Sequence, residues 1–172
     1  PSGGSCAAED HAEVASILNM LANYDATNRS NRGGDLHVAE IACDTDYEYY
    51  QDWGSGTEGR IESVINSLNQ QYESEVNLRH EISAIIVRDT SSDPYTSSDA
   101  GTLLNQFANQ WNNNHGSIAR DLAHLFTGRE LNGSTIGIAA LGVVCNTWNA
   151  YGLVQSDCCG SFGCATDLSA HE

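Results

Sequence analysis

Leu36-His-Val-Ala-Glu40-Ile-Ala-Cys43 is the stretch that decides the fold. It is a short, nearly continuous apolar run interrupted by Glu40, the pattern of a strand buried on both faces. A Glu buried there needs a partner. On the N-terminal side, Val14, Ile17, Leu18 and Leu21 recur at i, i+3, i+4 and i+7, which predicts an amphipathic helix from about Ala7 to Asn28. Asn31-Arg32-Gly33-Gly34 ends it. On the C-terminal side, Ser55-Gly-Thr-Glu58 has capping-box spacing and opens a helix whose stripe is Ile61, Val64, Ile65, Leu68 and Tyr72. Ile82 to Val87 is a β-branched run and reads as a second strand. The turn-rich segment Asp89 to Ser98 leads into a third helix with Leu103, Leu104, Phe107 and Trp111 on one side. Asp121 to Phe126 reads as a third strand broken at Gly128, and Thr135 to Val144 as a fourth. Gly137 and Gly142 within it mark a close backbone approach or an edge. Cys145 to Ala165 reads as a Cys-, Gly- and Ser-rich loop. Strands alternating with helices, then two strands in succession, predict an α/β or mixed sheet covered by helices.

The chain has 172 residues, of which 40% are hydrophobic and 17% charged, enough for one domain with a real core. The 23 Asp and Glu face only 7 basic residues, for a net charge of −16. All the basic residues are Arg (Arg29, Arg32, Arg60, Arg79, Arg88, Arg120, Arg129), and they are scattered. No basic patch is available to neutralise phosphates or to settle on an anionic membrane, which argues against nucleic acid and membrane partners. No apolar run is long enough to span a bilayer. The acidic surface attracts cations, and it keeps a secreted protein soluble. Pro1-Ser-Gly-Gly4, with no Met and no basic and apolar leader, reads as a processed end. Six Cys, none in a CxxC pair, fit disulfides in an oxidising, extracellular compartment better than a metal ribbon. Asn28-Arg29-Ser30 and Asn132-Gly133-Ser134 are potential glycan acceptors.

The chain ends on Asp167-Leu-Ser-Ala-His171-Glu172. Together with Val38-Ala-Glu40-Ile-Ala, Arg120-Asp121-Leu-Ala-His124-Leu-Phe-Thr-Gly128 and Ile136-Gly-Ile-Ala-Ala-Leu-Gly-Val-Val-Cys145, this segment resembles the catalytic domain of the metzincin zinc endopeptidases, and within them the reprolysin (adamalysin-like) family. The resemblance covers 35–172; residues 1–34 would be an N-terminal extension or propeptide remnant. It implies the metzincin upper subdomain: an α/β fold with a mixed, mainly parallel twisted sheet, an antiparallel edge strand and covering helices.

The family pattern is His-Glu-x-x-His-x-x-Gly-x-x-His, with two His four apart on one helical face so that both reach zinc. By position His171 would be the first zinc ligand and Glu172 the general base that takes a proton from zinc-bound water. The later His, the Gly and the Met-containing turn do not occur within the 172 residues, so this stretch alone is expected to be an inactive fragment. His171, two residues from the end, is expected on a frayed helix terminus. His115 and His124 are expected to pack rather than ligate, and His11, His37 and His80 to be surface or structural.

The edge strand at Ile138, Ala139, Ala140 and Leu141 would pair antiparallel with an extended peptide or protein substrate, and the same edge offers a route to self-association. Glu40 and Asp121 match acidic residues that hold a structural calcium in some reprolysins. Cys145 matches a Cys paired downstream in the family, or it pairs within the local cluster; Cys6 with Cys43 is a further candidate pair. The alternative to a secreted zinc endopeptidase is a non-catalytic secreted module of the same fold, serving binding or assembly.

Overall fold

Strand β1, His37–Thr45, lies between β2, Leu78–Ile86, and β3, Leu122–Thr127, and runs parallel to both. Beyond β3 comes β5, Tyr151–Gln155, also parallel, and outermost lies β4, Gly137–Ala139, which is antiparallel. The five-stranded sheet therefore has the order β2-β1-β3-β5-β4. These elements come from a computed structural model that describes residues 35–156 and 160–172. The helix expected over Ala7 to Asn28, and Cys6 with it, lies outside the described residues.

Alternation along β1 divides the core in two. Ile41 and Cys43 pack with Tyr49 of α1 (Tyr47–Trp53), with Ile61, Val64 and Ile65 of α2 (Thr57–Val76), and with Leu168 of α4 (Phe162–His171). On the opposite face Ala42, Leu125 and Leu153 pack against Leu103, Phe107 and Trp111 of α3 (Ala100–Asn114). Helices thus cover both sides of a mostly parallel sheet, the mixed α/β architecture expected. The double burial of β1 begins at Ile41: Glu40 is exposed and needs no buried partner, contrary to expectation.

Four further expectations are corrected. The run between β1 and α2 holds helix α1, capped by the Asp46 side chain, and a 3-10 turn at Gly54–Gly56. The chain therefore enters α2 at Thr57 with no side-chain cap on Gly56, and Ser55 forms no capping box. The fourth strand shrinks to Gly137–Ala139, because Gly142 and Cys145 adopt φ values of 69° and 68° that an extended strand does not tolerate. The segment read as loop contains buried strand β5 and the start of α4. Cys43 is free and fully buried, so it makes no disulfide with Cys6, and Cys145 is free and exposed. Cys164 is disulfide-bonded; Cys158 and Cys159 lie outside the described residues.

Two buried carboxylates close the C-terminal end of β1. Asp44 accepts from Arg88 Nε and Nη2 (3.0 and 2.8 Å), Tyr95 Oη (2.7 Å), Trp111 Nε1 (2.9 Å) and the Thr45 N–H (2.9 Å). A charge removed from water is thus met by a bidentate guanidinium and three further donors. Asp46 caps α1 through the Tyr49 N–H (2.8 Å), and also accepts from the Gly128 N–H (2.9 Å) and from Thr127 Oγ1. Backbone meets backbone at this join: a Cβ on Gly128 would lie 2.3 Å from Glu48 C and Tyr49 N, so only glycine fits.

Asp44→Ala leaves the Arg88, Tyr95 and Trp111 donors facing an empty site and should cost about 3–5 kcal/mol, read from urea unfolding. Asp46 gives a pH signature. Burial, opposed by its hydrogen bonds to Thr127, Gly128 and Tyr49, raises its pKa from 3.8 to about 6. The folded state holds this proton more tightly than the unfolded state does. The resulting stabilisation is complete below the unfolded value and is lost as pH rises through about 6. Asp46→Asn, which keeps a capping side chain, should remove roughly 3 kcal/mol of pH dependence from unfolding midpoints across that window.

Candidate active site

Helix α4 begins at Phe162, where the Ser161 side chain accepts from the Cys164 N–H (3.2 Å), and runs to His171. Leu168 anchors it in the core, and the Glu172 N–H donates to Leu168 O (3.1 Å). His171 therefore ends a ten-residue helix bound to the core, where the sequence implied only a frayed end. Three contacts set the helix in place. Tyr72 Oη donates to Ala170 O (2.8 Å), and Gln71 Nε2 donates to Asp167 Oδ1 (3.4 Å). The Arg60 guanidinium lies between the rings of Trp53 (4.4 Å) and Phe162 (4.7 Å), bridging α1, α2 and α4.

The end of α4 meets the edge strand. A Cβ on Gly137 would lie 2.7 Å from Glu172 Oε1 and 2.9 Å from its Cγ, so the Glu172 side chain rests directly on the β4 backbone. Glu172 is half-buried; burial raises its pKa above the ordinary carboxylate range, while His171 works in the opposite direction. Glu172 also lines, with Ser169, a cavity of about 140 Å³ walled by Ala39, Leu78, Leu122 and Val144, where β1, β2 and β3 begin.

The ladder fixes which edge groups are free. Ile138 faces Leu153, the Gln155 N–H donates to Ile136 O (2.8 Å), and the Ala140 N–H donates to Tyr151 O (3.2 Å). Residues 136, 138 and 140 thus direct their backbone groups toward β5, and by antiparallel alternation buried Gly137 and half-buried Ala139 direct theirs away from it, toward the outer edge. Of the four edge residues expected to meet a peptide, Ala139 is so oriented, Ile138 and Ala140 face inward along the backbone, and Leu141 lies past the strand, exposed.

Of the remaining candidates, His80 and His124 stand in the wall of the same cavity as Glu172. His124 is fully buried edge-on to Phe126 (4.9 Å), and burial lowers its pKa to about 4; it packs, as expected. His80 is held by Asn69, and His115 ends α3 beside Arg88. Glu40 and Asp121 do come together: the Glu40 N–H donates to Asp121 Oδ2 (2.8 Å) and the Asp121 N–H donates to Glu40 O (2.8 Å). That pairing occupies the Asp121 carboxylate with a backbone donor. Among the described residues no three His, Cys, Asp or Glu side chains are placed to hold one metal ion, so neither a three-His zinc set nor a calcium set is complete there. His171, at the end of α4, is exposed.

The sequence matches Reprolysin_5, metallo-peptidase family M12, over residues 35–172. The chain belongs to metallopeptidase family M12. No curated protein matches the sequence. Among solved structures, one described as a chaperone-substrate complex superposes with a TM-score of 0.64 at 15% identity, covering 80% of this chain. This M12 domain spans 24% of that chain, and at such identity the likeness speaks of fold alone. Family M12 implies zinc and peptide or protein substrates in general terms, and the reprolysin-like reading of 35–172 holds.

Sequence reasoning recognised Gly137 as a close approach without seeing what approached. It missed Tyr72 and Arg60 as supports of α4, because nothing local to either residue reveals a partner about a hundred positions away. Gly137→Ala should destabilise this M12 domain by about 1–3 kcal/mol through overpacking. In the double variant with Glu172→Ala most of that cost should vanish, giving a coupling above about 0.5 kcal/mol in a thermodynamic cycle.

Proposed function

We propose that this domain is the N-terminal subdomain of a secreted zinc endopeptidase, with His171 as one zinc ligand and Glu172 as the general base. One observation carries the reading: the Glu172 carboxylate rests on the β4 backbone at Gly137, beside the free edge groups of Gly137 and Ala139. An extended peptide added at that edge would be held by backbone hydrogen bonds independent of its sequence, with its main chain alongside Glu172. Zinc, when bound, supplies a water acidified to a pKa of about 7. The work of this chain's own residues is narrower. Gly137 and Ala139 orient the peptide, Tyr72 and Arg60 hold α4, and half-buried Glu172 accepts and returns a proton next to the bound main chain.

A second reading, a binding or assembly module without catalysis, draws on the incomplete metal set among the described residues and on the open β4 edge. Zinc content and peptide hydrolysis of the complete gene product separate the two. The endopeptidase reading expects about one zinc per molecule, and a loss of about a hundredfold or more in kcat for Glu172→Gln with zinc retained. A product with no zinc and no hydrolysis, or a Glu172→Gln variant as active as the wild type, would establish the second reading or remove Glu172 from its role.

A further inference from the structure

We infer that the peptide taken up along β4 is cationic, a Lys- or Arg-rich segment; this deepens the reading of β4 and Glu172 above and rests on it. The chain has a net charge of −16, yet composition alone does not say which charges face outward. The positions of the arginines decide that. Arg88 is bound bidentate to buried Asp44. Arg120 is itself buried, with its Nη groups donating to Ile118 O (3.2 Å), Thr147 O (3.1 Å) and Tyr151 Oη (2.8 Å). Arg129, the cation that precedes β4, pairs with Glu48 (2.8 Å), and Arg79 pairs with Glu73 (2.6 Å). Arg60 lies between two aromatic rings. Every described arginine is therefore engaged within the fold.

Among the described residues, no arginine forms an ion pair with the carboxylates near this edge. Glu130 is exposed next to Leu131, whose N–H bonds Gln155 at the end of β5. Glu172 touches Gly137, and Asp167, exposed five residues earlier on α4, accepts from the Gln71 amide. A zinc ion would return two positive charges, small against −16. The field that reaches an approaching peptide is therefore negative. Fields of this kind raise association of opposite charges by roughly 10- to 1,000-fold, falling steeply with salt. The open edge supplies the attachment and the field supplies the choice among peptides.

The experiment uses the 172-residue chain and three fluorescent extended peptides of equal length and apolar content, one Lys-rich, one neutral and one Glu-rich, followed by anisotropy at low and high NaCl. The Lys-rich peptide should bind at least about tenfold tighter than the neutral one at low salt, the Glu-rich one weakest, with the spread collapsing at high salt. Ala139→Pro removes an open-edge N–H without touching the β5 ladder and should weaken all three peptides together. Equal affinity for the Lys-rich and neutral peptides overturns the charge inference and leaves the edge reading standing. Absence of binding by every peptide, or binding indifferent to Ala139→Pro, overturns the edge reading and the inference with it.

Discussion

The Asp44 carboxylate is the fastening on which the rest of the domain depends. It sits at the end of β1, and its partners come from the chain after β2 (Arg88), from the β2–α3 connection (Tyr95) and from α3 itself (Trp111). The β2–α3 connection, at two points, and α3 are thus held to one buried point on β1, and each donor would be an unsatisfied buried group without it. Two residues on, Asp46 repeats the arrangement on the other side, tying β1 to the end of β3 through Thr127 and Gly128. Open α/β sheets commonly bind ligands beyond the C-terminal ends of their strands. Here the acidic groups at that end of β1 are committed to internal donors, and the candidate chemistry lies at the β4 edge, where Glu172 rests on Gly137 and shares a cavity wall with Ala39, Leu78 and Leu122.

The reversal of β4 makes that location usable. Parallel β5 extends the sheet, and β4 then returns antiparallel as an outer edge. Its exit is fixed by bonds to backbone atoms: Arg120 holds Thr147 O, Asn112 Nδ2 donates to Trp148 O (3.2 Å), and the Cys145 N–H donates to Asp121 O (3.0 Å). A short edge backed by an anchored loop resists pairing at random and still offers two residues' worth of free groups. The missing Cβ of Gly137 then lets a carboxylate lie against that edge, which a residue of any other type would push away.

The parts of this arrangement that were legible in sequence are those governed by local pattern. The apolar run of β1, the 3.6-residue stripes of α2 and α3, and Gly137 of β4 all announced themselves, because burial imposes a period or demands a missing side chain. Helix α1 did not, since Tyr47–Trp53 is stabilised by an Asp46 cap whose other bonds run to Thr127 and Gly128, some eighty residues away. Strand β5 was hidden for a related reason: Tyr-Gly-Leu-Val-Gln is short and set in turn-rich sequence, and only pairing on both edges makes it a strand. At the site, His171 and Glu172 were visible through the family pattern. The identity of the inward and outward edge residues required the register, which one residue of slip would invert.

Elimination among the described titratable groups narrows the candidates for chemistry. Burial pushes the Cys43 thiol up and leaves it inert in the core, and Asp121 raises the pKa of the exposed Cys145 thiol, so neither is an activated nucleophile. His124 and His80 are held neutral by burial and are packed or hydrogen-bonded in the interior. Asp44 and Asp46 serve the fold, and Asp121 takes a backbone N–H. Glu172 differs from all of these: it is half-buried, against an edge strand, at the end of a helix pinned by Tyr72, with an exposed imidazole as its neighbour. A carboxylate in that setting has both access and a raised affinity for a proton, two properties that a general base requires.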